Sequence, residues 1–142
     1  MKSQIKSNIK VKHLFKTYFP DTQGGLEEAI RQIILFSSQS GIESEVVFLS
    51  KKPSSHMIDN SKAVSYKRDF NYLSNPFSFH LLRNFKSIIN NADILHLHFP
   101  WPTAEFLVLL FKIEKPILVT FHCDVFKNVF IKFFYLYFIK MF

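Results

Sequence analysis

A chain of 142 residues can form one domain with a real core, and its 48% hydrophobic content argues against disorder. Cys123 stands alone, which excludes an intrachain disulfide and a cysteine-based zinc site and suits a reducing compartment. The net charge of +7 crowds at the start in Lys2, Lys6, Lys10, Lys12 and Lys16; with no RNA- or DNA-binding motif beside it, it reads as a solvated basic face, and no nucleic-acid partner is expected.

The first residues lack the apolar core of a signal peptide, which points to the cytoplasm. Ile9, Val11, His13 and Phe15 alternate with Lys10, Lys12 and Leu14, the period-two pattern of a first strand. A loop follows from about Lys16 and contains Pro20, Asp21 and the pair Gly24-Gly25. From Leu26 the spacing turns helical through Ala29, Ile30, Ile33 and Ile34, with Glu27 and Glu28 in the first turn and Gly41 closing the helix. Glu45 to Leu49 reads as a second strand, Lys51 to Asn60 as a loop, and Ala63 to Tyr66 as a short third strand. Pro76 opens a helix through Phe79, Leu82, Phe85, Ile88 and Ile89. A fourth strand runs from Asp93 to His98, broken by Pro100 and Pro102; a helix from Ala104 to Lys112 leads to Pro116–Phe121, an apolar run that suits a central parallel strand. Strands alternating with helices imply a doubly wound, Rossmann-like α/β sheet.

Ligands of such sheets bind outside the carboxyl ends of the strands. Here those ends deliver the Asp21–Gly25 loop, the segment His98-Phe-Pro-Trp-Pro102, and His122-Cys-Asp124. A glycine pair entering a helix can be an anion site, because free N–H groups and the positive helix end face the ligand with no side chain between; it can equally be a tight turn and nothing more. The pair is neither GxGxxG nor a P-loop, since Lys and Ser/Thr are missing after Gly25, and no cofactor is expected.

The stretches FPDTQGGLEEAI (Phe19–Ile30), ADILHLHFPWPTAEFLVLL (Ala92–Leu110) and KPILVTFHCDVFK (Lys115–Lys127) occur in this order at successive strand ends. With them the chain resembles the N-terminal domain of the family 4 retaining glycosyltransferases, which have the GT-B fold. The resemblance spans roughly Val11 to Tyr137. It implies that residues 1–142 are the acceptor-side Rossmann-like domain, incomplete at its C-terminus, with the donor-nucleotide domain absent. It implies transfer of a hexosyl unit, with retention, from a sugar nucleotide to a glycan or lipid-linked acceptor. Gly24 and Gly25 would lie beside the diphosphate, and Glu27 matches the acidic position of the first helical turn. His122 would be the catalytic residue beside the donor sugar, able to donate to the sugar or to departing charge. His98, Trp101 and Asp124 join the substrate-binding candidates.

Other readings of the same residues stand beside this one. His96 and His98, two apart on a strand, face one side and with His122 and Asp124 would compose an HxH metal site and a metal-dependent hydrolase. Leu95 and Leu97 on the opposite face argue instead for a core His96 and a cleft-facing His98, so no metal is expected. A Rossmann-like nucleotide-binding domain of other function is the remaining alternative. Trp101 either stacks on a sugar or acceptor or caps the helix beginning near Thr103. His13, His56 and His80 have no constellation around them, and Cys123 has no base beside it but His122. The apolar tail from Val125 to Phe142 carries Lys127, Lys132 and Lys140 and falls short of the about 20 residues a transmembrane helix needs. It reads as a helix built for burial, with peripheral contact at the inner face of the membrane as the minority alternative.

Overall fold

The computed structural model describes residues 8–122. Asp124, Cys123, the tail from Val125, and Lys2 and Lys6 lie outside the described residues. The first strand, β1 (Lys10–Leu14), pairs in parallel with β2 (Glu43–Ser50) on one side and with β7 (Ile94–Phe99) on the other. β2 pairs in parallel with β4 (Ser61–Lys67), which an antiparallel strand β3 (Ser54–Ile58) edges; β7 pairs in parallel with β8 (Ile117–Phe121). The order β3-β4-β2-β1-β7-β8 therefore reverses at β1, the switch point of a doubly wound sheet.

Each face of the sheet is covered by a different set of helices. On one face Leu14, Val47, Leu49, Leu95, Leu97 and Phe99 pack against α2 (Phe79–Ile89) and α3 (Pro102–Leu110). On the other, Phe15, Val46, Phe48 and Ala63 pack against Ile30 and Ile34 of α1 (Gly25–Ser38). Alternation along a strand puts His13, His96 and His98 on this second face, since His13 lies directly beside Val46 and His96. No helix among the described residues is long and apolar enough to cross a membrane.

Several elements differ from the sequence expectation. The Lys51–Asn60 loop contains β3, a polar edge strand whose residues are mostly exposed and so lack an apolar face to betray them. Pro76 does not open α2: it lies in β6 (Asn75–Phe77), paired with β5 (Phe70–Tyr72), and α2 starts after Ser78, whose hydroxyl accepts from the Leu81 amide. β8 is an edge, not a central strand, of the described sheet. Lys12 is 7% exposed, off the solvated face expected for it; its ammonium pairs with Glu45 at 2.9 Å and donates to the Ile88 carbonyl. Gly41 does close α1, in the left-handed region at φ 78°.

The β5–β6 turn holds Leu73 and Ser74 at φ 48° and 60°, the two positive angles of a turn that normally takes Asn-Gly. Replacing Leu73-Ser74 by Asn-Gly should relieve about 1–2 kcal/mol of left-handed strain. The expected outcome is a higher urea midpoint with unchanged slope; an unchanged or lower midpoint would show the turn is not strained.

Candidate functional site

The loop from β1 to α1 ends in a carboxylate cage. Thr17 and Thr22 donate hydroxyl hydrogen bonds to Glu27 Oε1 at 2.8 and 2.6 Å, and backbone amides of Glu27 itself and Gly24 face the same group. Burial pushes the carboxyl of Glu27 up, but these donors outweigh it and hold the acid below its ordinary value. Glu27 is thus a resident anion at the α1 N-terminus, only 7% exposed.

This anion explains one glycine of the pair. Gly24 has extended backbone, so it is not needed for its angles. A Cβ built there would meet Glu27 Oε2 at 2.7 Å, closer than real contacts allow, so Gly24 is glycine to admit the carboxylate. Gly25, at the first turn of α1, has nothing within 4 Å of a Cβ and faces open space.

The carboxyl ends of β1, β7 and β8 carry a row of imidazoles. His13 Nδ1 meets His98 Nε2 at 3.0 Å, and His98 Nδ1 meets His122 Nε2 at 2.8 Å. The ring planes are inclined by only 16° and 26°, with centroids 5.3 and 5.0 Å apart. Those separations exceed the nitrogen distances by about a ring's width, so the rings meet edge to edge in line rather than face to face. Beyond the row, His13 Nε2 reaches Ser44 Oγ at 3.3 Å and His96 Nε2 reaches Thr120 Oγ1 at 2.7 Å. Phe15, fully buried, lies with its ring 6.0 Å from that of His122.

The placement corrects two expectations and favours one of the two readings of a third residue. His98 does not face a cleft; it is 1% exposed and the hub of the row. His13 has a constellation around it that its isolation in sequence concealed, because its partners lie 83 and 85 residues away. Trp101 has its ring buried at 1% and its Nε1–H on the Pro76 carbonyl at 3.1 Å, so it takes the helix-capping place at α3 and fastens the β5–β6 hairpin. The signal in the sequence that points to His13 is its position on β1, the strand that pairs with the one carrying HxH.

Ring nitrogens of His13, His96 and His98 lie within 4.8 Å of one another. Zinc sits about 2.0–2.1 Å from each imidazole nitrogen in a tetrahedral shell, so two histidine ligands aim their lone pairs at one common point. His13 Nδ1 and His98 Nε2 instead aim at each other in line at 3.0 Å, which fits a hydrogen bond and not a shared ion.

Burial dominates the proton affinities of these rings. It lowers His13 to about 3 and His96 to about 4, with the neighbouring imidazoles pushing the same way; His98 falls furthest, and His122 is lowered by burial alone. All are neutral at pH 7, whereas unfolded histidines take up protons below about pH 6.5. The contribution of the buried His13, His96 and His98 is therefore complete above pH 6.5 and is lost as pH falls toward 4, by up to roughly 1.4 kcal/mol per pH unit for each of the three. Urea midpoints measured from pH 7 to 4.5 should fall steadily; a constant midpoint over that interval would mean the folded rings accept protons. The glycines give a second test. Gly24→Ala must push Glu27 out of its cage, costing about 1–3 kcal/mol for the displaced hydrogen bonds, while Gly25→Ala leaves thermal stability unchanged or higher. Equal effects on melting would break the assignment of Gly24 to Glu27.

The chain is similar to known proteins over most of its length. The model of Glycosyltransferase Family 4 matches residues 23–142. O-antigen chain mannosyltransferase C of Escherichia coli is 34% identical over 122 residues, covering 84% of this chain and 33% of that protein. D-rhamnosyltransferase WbpZ of Pseudomonas aeruginosa is 31% identical over 122 residues, covering 84% of this chain and 32% of that protein. The chain thus spans about a third of the length of the curated relatives it matches. With a parallel-dominated sheet reversing at β1, a glycine pair at the head of α1 and a match that takes in that pair and both later strand-end segments, the chain belongs to glycosyltransferase family 4.

Proposed function

We propose that these residues form the acceptor-side half of a retaining glycosyltransferase that moves a hexosyl unit from a sugar nucleotide to a glycan or lipid-linked acceptor. The observation that carries this reading is that an open glycine at a helix N-terminus and a neutral imidazole both follow the carboxyl ends of strands in the same parallel sheet. Gly25 leaves its side of the helix end free for a diphosphate, and helix-end amides stabilise the negative charge of a departing phosphate. His122, after β8 and neutral at pH 7, hydrogen-bonds a sugar hydroxyl and orients the anomeric carbon toward the acceptor. Gly24 and Glu27 serve the same end indirectly, by shaping the loop that presents Gly25. Asp124, two residues beyond His122 in the sequence, joins this reading as a substrate-binding candidate on the resemblance alone.

The relatives' names narrow the sugar. Mannose and D-rhamnose share the manno configuration and differ at C6, so the donor proposed here is a nucleoside diphosphate carrying a manno-configured hexose. The reading sets the reaction in the cytoplasm, where nucleotide sugars are made, with a lipid-linked acceptor bringing the protein against the inner face of the membrane.

Backbone amide resonances report on this directly. Titration of the chain with GDP-mannose should shift Gly25 and His122 in a saturable way, and Gly25→Val should abolish those shifts while melting stays within a degree or two of wild type. Absence of any perturbation at either residue at millimolar ligand, with the protein folded, would overturn the assignment of this edge to the donor.

A further inference from the structure

Two neutral imidazoles that meet nitrogen to nitrogen share one proton: one nitrogen donates and the other accepts. His98 is engaged in this way at both nitrogens, by His13 and by His122. The proton positions along the row are therefore not independent, and only two arrangements satisfy every link. In one, each ring is protonated at Nε2: His122 donates to His98 Nδ1, His98 donates to His13 Nδ1, and His13 donates to the Ser44 hydroxyl oxygen. In the other, each ring is protonated at Nδ1, and the Ser44 hydroxyl starts the row by donating to His13 Nε2. A hydroxyl serves either state.

We propose that His13 and His98 are positioning residues that set which ring nitrogen of His122 carries its proton. The inference rests on the reading that His122 faces the sugar. In the first arrangement His122 Nδ1 offers a lone pair and accepts from a sugar hydroxyl; in the second it offers an N–H and donates. Neutral imidazole in water prefers the proton on Nε2, and the row sums that preference over three rings. The resting state is therefore the first, with His122 an acceptor. A mixed row, with one ring of each kind, would point two N–H groups or two lone pairs at each other inside the sheet, leaving a buried contact unsatisfied.

The surroundings favour an undisturbed neutral row. His13, His96 and His98 are buried, and outside the row the imidazole packed against the central ring is His96, with centroids 4.1 Å apart. His96 is itself tied to Thr120 and takes no part in the row. Ser44 lines an open cleft of about 520 Å³ at the amino ends of the strands, so the row spans the sheet from that cleft to the edge bearing His122.

Long-range ¹H–¹⁵N correlation spectra of the uniformly ¹⁵N-labelled chain at pH 7 test this without any substrate. The expected result is one tautomer, Nε2–H, at His13, His98 and His122 together. Different tautomers within the row would overturn the proposal, and so would Nδ1–H at all three, which would make His122 a donor. In His13→Phe the link to His98 is lost, and His122 should change to a mixture of both tautomers; His13→Asn, whose amide can turn either its oxygen or its N–H toward His98 Nε2, should give the same mixture. A folded His13→Phe protein whose His122 nitrogens keep their wild-type shifts would reduce His13 to packing. Should the Phe variant not fold, the wild-type spectrum and the Asn variant still decide. Failure of GDP-mannose to bind leaves these nitrogen shifts unmoved, so the two readings fail separately.

Discussion

The parallel pairing of β1 with β7 is the constraint on which everything else hangs. It places His13 directly beside His96 and within hydrogen-bond reach of His98, and it makes β1 the strand from which the sheet grows in both directions. Connections leaving β1 and β7 then diverge to opposite faces, α1 to one and α3 to the other, and open a crevice between them. A one-residue slip of β7 in this register would send His96 and His98 to the α2–α3 face, away from His13, and bring Leu95 and Leu97 against α1. The buried leucines on one face and α1 packing on the other resist that slip together.

Glu27 shows how a helix terminus can be used twice. Its carboxylate takes the cage of Thr17, Thr22 and two backbone amides, and that satisfies part of the positive end of α1 from within the chain. Any anion arriving from outside would meet a negative charge already in place at the Gly24 side of the helix end. The two adjacent glycines thus differ in purpose: one makes room for the protein's own acid, the other keeps a surface clear.

The parallel strands and the main helices were legible because their apolar residues recur at periods of two and 3.6. β3 was not, since an exposed edge strand carries no apolar face. The β5–β6 hairpin was hidden because Leu73-Ser74 bears none of the Asn-Gly chemistry of its turn, and Pro76 imitated a helix start while sitting in a strand. Family-level motifs located the glycine pair and His122 on one edge, where the structure also has them. They were silent on His13 and gave His98 the wrong exposure, because a row of imidazoles is assembled across strands by register and leaves no spacing in the chain to read. Trp101 drew notice as the lone tryptophan between prolines, yet burial and a bond to Pro76 account for it.

The two faces of β7 make the last point. Leu95 and Leu97 alternate with His96 and His98 on one backbone, at comparable burial. Packing alone would accept apolar side chains on both faces, as parallel strands covered on both sides usually have. Imidazole there is tolerable rather than favourable: burial forbids its charge, and each ring must find a partner for its N–H. Replacing a whole hydrogen-bonded pair by apolar groups of similar shape is often nearly neutral for stability. The stability of the sheet therefore gives no reason for three histidines in contact. What they supply that leucine does not is a directional row of protons ending at the carboxyl edge, and this is a property of chemistry at that edge rather than of the fold that carries it.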